Sequence, residues 1–181
     1  MENQESPFKA GLNAGVILGI FSVVITFVVY FIDPPILVSW KYGLIMLVLF
    51  FGILIYLGIQ YRKSIGGFLE FGPAFNFSFI ALIVAGLISQ VGSALLYNVI
   101  DPALPGVLVE QTLENTMAMM DKLGAADAMS VDQIDKMRED TAAQFTVMGQ
   151  VKAFGIALII YAVISLILGA ILKKRDKSLD Y

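Results

Sequence analysis

Four apolar stretches constrain this chain more than any other feature. Ala10 to Tyr30, Tyr42 to Gln60, Ala74 to Asn98 and Ala153 to Leu172 contain no Asp, Glu, Lys or Arg. Crossing a hydrocarbon core of about 30 Å takes roughly 20 helical residues. Backbone N–H and C=O groups find no water there, so a segment of this kind must pair them within a helix. The stretches therefore predict an all-α polytopic membrane protein with four transmembrane helices, at 10–30, 42–60, 74–98 and 153–172. Residues 1–181 read as a single membrane domain of two helical hairpins, with a helical insert at 103–150 between the third and fourth spans. Composition agrees, since 58% of residues are hydrophobic and 15% charged, against about half and about a quarter in soluble domains. The first stretch is too long for the apolar region of a secretion signal, and what precedes it is mostly acidic. No A-x-A-like site follows it, so it reads as an uncleaved helix.

Charge orients the spans. An even number of crossings puts both ends on one side, and basic residues near helix ends mark the cytosol. Lys9, Arg62, Lys63 and the terminal "KKRDK" all fall on that side. The other side carries Lys41 and the segment from Asp101 to Gln150, which holds nine acidic residues against three basic ones. Both termini are expected in the cytoplasm and the acidic insert outside it.

The chain has no Cys and no His. Disulfides, zinc fingers, c-type haem attachment, Cys or Ser-His nucleophiles and imidazole relays are thereby excluded. Six methionines crowd the insert, at 117, 119, 120, 129, 137 and 148. Thioethers are soft copper ligands, but without Cys or His the expected use is adaptable packing. Neither a metal nor a cofactor is expected. A membrane-embedded enzyme would need paired titratable groups at one depth, and only the two Asp-Pro corners offer carboxylates at matching helix ends. The chain is read as no enzyme and no nucleic-acid binder; its partners are the lipid bilayer and, through the acidic insert, a protein.

The hairpins echo each other. "FKAGLN" opens the first and "FGPAFN" the second; "YFIDP" closes the first helix and "YNVIDP" the third; "LGIQYRK" ends the second and "LGAILKK" the fourth. These matches, in order at equivalent helix ends, point to a duplicated hairpin in parallel orientation. The insert breaks the symmetry. Its first half, with Val107, Leu108, Leu113, Met117, Met120 and Leu123 apolar, predicts an amphipathic helix ended by Gly124. Its second half opens with a capping box at Ser130 and Gln133 and places Ile134, Met137 and Met148 near one face. No strong breaker separates that half from the fourth span, which predicts one continuous helix projecting from the membrane with the preceding helix folded back as a cap.

Candidate functional residues are few. Gly11, Gly15 and Gly19 form two G-x-x-x-G steps on one face of the first helix, and Ala85, Ser89 and Ser93 form a small ridge on the third. Such faces let backbones approach closely, within one chain or in a homo-oligomer. Gln90, read near the middle of the third span, needs a polar partner inside the protein, for which Asn13, Ser22, Thr26 and Ser89 are candidates. A structural hydrogen bond is the first reading and a polar transport path the second. Asp33 and Asp101 precede prolines that cannot continue a helix. Glu70 precedes the third helix, where the helix dipole favours a negative charge, and Pro73 suits the first turn.

The early "KAGLNAGVILG", the "IGGFLEFGPAF" leading into the third span, the "IDP" that closes it, the Glu- and Met-rich insert and the basic tail together resemble a bacterial membrane-protein family, that of domain of unknown function 4199. The most specific stretch is Gly66, Gly67, Phe71, Gly72, Ala74 and Phe75, similar to the family's G-G-x-x-x-F-G-x-A-F, with Pro73 standing where a polar residue is frequent. The resemblance implies a four-helix inner-membrane protein of Gram-negative bacteria. It carries over no activity and no catalytic residue.

Overall fold

The computed structural model describes residues 5–124 and 129–175. The helices are α1 (Pro7–Ile32), α2 (Trp40–Ser64), α3 (Phe71–Leu95), α4 (Leu104–Lys122), α5 (Val131–Phe145) and α6 (Val147–Leu172). A 3₁₀ turn, Pro34–Val38, links α1 to α2, and a π turn, Leu96–Ile100, prolongs α3. Four of these helices are long and apolar enough to cross a membrane: α1, α2, α3 with its π turn, and α6, of 26, 25, 30 and 26 residues. Each extends past the charge-free stretch read from the sequence, because the residues flanking it continue the backbone ladder. No strand occurs among the described residues; Leu69 and Lys174 form one isolated antiparallel pair.

The helix ends follow from local chemistry. Asp33 is extended at φ −163°, ψ 98°, and Asp101 leaves the helical region at φ −139°, ψ 84°. The proline after each disfavours the helical region for the residue before it, so α1 and α3 stop at the same dipeptide. Between α2 and α3, Gly66 at φ +99° and Gly67 at φ +89° take left-handed conformations that side chains rarely adopt.

The chain groups into two compact units, one of Met1–Val23, Leu47–Ser89 and Phe154–Tyr181, the other of Val24–Met46 and Gln90–Ala153. In the first, segments of the four long helices surround Leu18, Leu54, Phe77, Ala81, Leu168 and Leu172, all buried. Lipid tails are as apolar as these side chains, so van der Waals fit rather than water exclusion holds such helices together. The fit is close. A Cβ on Gly58 would lie 2.5 Å from Leu172 Cδ1, and one on Gly86 2.7 Å from the Tyr161 hydroxyl. The Tyr61 ring stacks on Phe77 with centroids 5.3 Å apart. In the second unit, Leu96, Leu104 and Leu108 are buried against Phe27, Tyr30, Leu37, Val38, Tyr97 and Phe145.

The continuous outer helix expected from the sequence is not formed: Thr146, at φ −69° and ψ 155°, separates α5 from α6. The Thr146 hydroxyl donates to the Ala143 carbonyl and accepts from Gly149 N–H at 3.0 Å, so it ends one helix and caps the next. A Cβ at Gly149 would collide with the Ala143 carbonyl. The break takes Met148, exposed on α6, off the face it was expected to share. Ile134, Met137, Thr141 and Phe145 form the half-buried stripe of α5 instead.

Candidate functional site

Polar chemistry concentrates at two places, one in each unit. In the second unit α4 and α5 carry the acidic surface. α4 buries Leu104, Leu108, Val109 and Leu113, a face shifted from the expected one, since Val107 and Leu123 are exposed. Ser130 and Gln133 close a reciprocal capping box at the start of α5, which buries no side chain fully. Arg138 binds Glu110 of α4 through Nε at 2.9 Å and Nη2 at 3.1 Å. Hydrogen bonds and charge from Glu110 hold that guanidinium above its ordinary pKa. Both side chains are exposed, so the pair fixes orientation more than stability. Glu114, Asp132, Glu139 and Asp140 are exposed beside it.

The same unit holds Gln90, Asp33 and Asp101, polar side chains that the sequence singled out. Gln90 Nε2 donates to Gln150 Oε1 at 2.8 Å, and Gln150 Nε2 donates to the Phe145 carbonyl at 3.0 Å. The partner of Gln90 is therefore the first turn of α6, not Asn13, Ser22, Thr26 or Ser89. Gln90 is the twentieth residue of the 30-residue α3 segment, closer to its middle than to its far end. Asp101 does more than precede a proline. Its Oδ1 accepts from Ala103 and Leu104 N–H, both at 3.1 Å, and its Oδ2 accepts from the Tyr30 hydroxyl at 3.1 Å. A signal for this contact is a tyrosine a few residues before Asp-Pro in both helix endings. Asp33 is exposed, and its side chain makes no capping bond.

In the first unit, the glycine face of α1 meets a branched ridge of α3. Cβ atoms on Gly11, Gly15 and Gly19 would come within 3.0, 2.6 and 2.6 Å of the Cβ atoms of Ile80, Val84 and Ile88. Both sets repeat every four residues, so the ridge of one helix enters the notches of the other. Ala85 is buried; Ser89 and Ser93 are half-buried.

Glu70 sits just ahead of α3, exposed, with its backbone carbonyl accepting from Ala74 N–H at 3.0 Å. Its carboxylate forms no ion pair among the described residues. Arg62 donates to the Leu172 carbonyl at the end of α6 at 2.9 Å, a favourable place for a cation. Lys174 exchanges two backbone hydrogen bonds with Leu69, and its ammonium lies 5.8 Å from the centre of the Phe68 ring. Glu5 accepts from Asn13 through its side chain at 3.1 Å and from the Tyr61 hydroxyl through its backbone at 3.2 Å.

The sequence pattern described by one protein family, protein of unknown function DUF4199, matches residues 13–174. The chain belongs to the DUF4199 family. Comparison with curated proteins and with solved structures gives no match. The residues that carry the DUF4199 resemblance have distinct physical uses here. Gly66 and Gly67 supply positive φ. Ala74 is fully buried. Phe71 and Phe75 lie against Gly169, whose added Cβ would sit 3.2 Å from the Phe71 ring and 3.3 Å from Phe75 N. Gly72 has open space around it.

Proposed function

We propose that this DUF4199 protein is a non-enzymatic scaffold, accessory subunit or envelope-maintenance factor of the bacterial inner membrane, with both termini cytoplasmic and the acidic face of α4 and α5 turned outward to a protein partner. One observation carries the reading. The buried polar side chains of the long helices are consumed locally: Ser78 and Ser165 donate to carbonyls of their own helices at 2.9 and 2.6 Å, and Gln150 accepts from the half-buried Gln90 and donates to the Phe145 carbonyl. Ion-coupled transporters keep titratable groups inside the bilayer, and a polar path at Gln90, the alternative function, would need that amide free. Among the described residues, the exposed Asp132, Glu139 and Asp140 of α5 form no ion pair.

A hairpin duplication also finds support in the matching corners, where Asp33 and Asp101 each accept from the N–H three residues on, at 3.1 Å. The test is complementation and co-purification in mild detergent with Glu114→Gln, Asp132→Asn, Glu139→Gln and Asp140→Asn combined. The reading expects wild-type membrane levels, loss of the co-purifying protein and failure to complement. Full complementation would overturn it.

A further inference from the structure

In the first unit, the start of α1 lies beside the end of α2 and leaves a groove between them that no side chain of the described residues fills. Its cavity is about 250 Å³, with Asn13 and Ile17 on the α1 side, Leu57 and Gln60 on the α2 side and Phe77 of α3 among its lining. Polarity is graded along it. Ile17 and Leu57 are the lining residues farthest from the helix ends, whereas Glu5, Gln60 and Ser64 lie at or near those ends. Such a gradient from apolar to polar suits an amphiphile entering from the bilayer and suits neither water nor a free ion.

A second cleft of about 270 Å³ shares Glu5 and Tyr61 with the groove and adds Phe68 and Glu70 to the lining. Two carboxylates line it, and no Lys or Arg does among the described residues. Carboxylates sharing a cleft repel each other unless a cation stands between them. One oxygen of Glu5 is engaged by Asn13 at 3.1 Å, and among the described residues no side chain donates to the other. A primary ammonium has three N–H donors to offer them. A quaternary ammonium has none, and an anionic headgroup would add to the repulsion.

We infer that the two clefts together hold one phospholipid with a primary-ammonium headgroup, its ammonium between Glu5 and Glu70 and the start of an acyl chain against Ile17, Leu57 and Phe77. The site gives Glu70 a role beyond the helix end. It rests on the long helices crossing a bilayer and is independent of the role proposed for the acidic face.

Native mass spectrometry of the full chain in mild detergent tests this, with phosphatidylethanolamine, phosphatidylcholine and phosphatidylglycerol added in turn at equal concentration. One phosphatidylethanolamine per chain is expected to be retained at least about tenfold more strongly than either competitor. Glu5→Gln combined with Glu70→Gln should erase that preference, with the melting temperature in detergent serving as the check on folding. Ile17→Trp, at an exposed position that requires no repacking of the core, should instead cut retention of all three lipids. Equal retention of the three lipids by the wild-type chain, a preference that survives loss of both carboxylates, or undiminished retention by Ile17→Trp would each overturn the proposal.

Discussion

The side-chain amide of Gln90 donates a 2.8 Å hydrogen bond to the side-chain carbonyl of Gln150, an otherwise nearly buried group at 7% exposure. It ties the far half of α3 to the first turn of α6. Because Gln150 also donates to the Phe145 carbonyl, the pair secures the helix break as well.

Replacing one member of that pair leaves the other unsatisfied. Gln90→Leu and Gln150→Leu should each lower stability in detergent by about 1 to 2 kcal/mol. The double change should cost less than their sum, with a coupling of about 0.5 to 1.5 kcal/mol in a double-mutant cycle. Additive losses would mean that the two amides do not pair.

Gly15 and Gly52 separate close approach from open surface. A Cβ on Gly15 would sit 2.6 Å from Val84 Cβ and 2.7 Å from the Ala81 carbonyl oxygen, whereas one on Gly52 meets nothing within 4 Å. Gly15→Leu should cost at least about 1 to 3 kcal/mol, as core overpacking does, seen as a lower melting temperature or lost expression. Gly52→Leu should be close to wild type. Equal behaviour of the two would remove the α1–α3 contact.

The break at Thr146 depends on Gly149 more than on the threonine. Thr146→Ala removes a cap worth about 1 kcal/mol. Gly149→Ala drives a methyl into the Ala143 carbonyl, so the break must rearrange. Spin labels at Ala142 and Val151 should keep their wild-type separation in Thr146→Ala and change it in Gly149→Ala. An unchanged separation in Gly149→Ala would place the glycine outside the break.

The absence of native cysteine makes topology directly readable. Under the proposed orientation, Ser64→Cys should be shielded from a membrane-impermeant thiol reagent in intact spheroplasts and Ser130→Cys should label. Both positions are exposed in the protein, so protection reports the membrane and not the fold. Labelling at Ser64→Cys would invert the orientation.

The four long helices were legible because the bilayer leaves a charge-free stretch of this length little alternative to a helix. Asp33-Pro34 and Asp101-Pro102 were legible as stops because proline acts on its immediate neighbour, and the capping box at Ser130 is likewise local. Thr146 with Gly149 is a local device too, yet it was missed. No proline or run of polar residues accompanies it, and its effect depends on how closely Gly149 passes the Ala143 carbonyl. The partners of Gln90, Asp101 and Arg62 lie 60, 71 and 110 positions away along the chain. Helical periodicity reports which face a residue occupies but not which helix covers it. The glycine steps of α1 announced a close contact, and only the packing decided that the branched ridge of Ile80, Val84 and Ile88 fills it. The same holds for Glu70: sequence put it at a helix end by the local preference for negative charge there, whereas the cleft whose lining it shares with Glu5 exists only once distant segments are brought together.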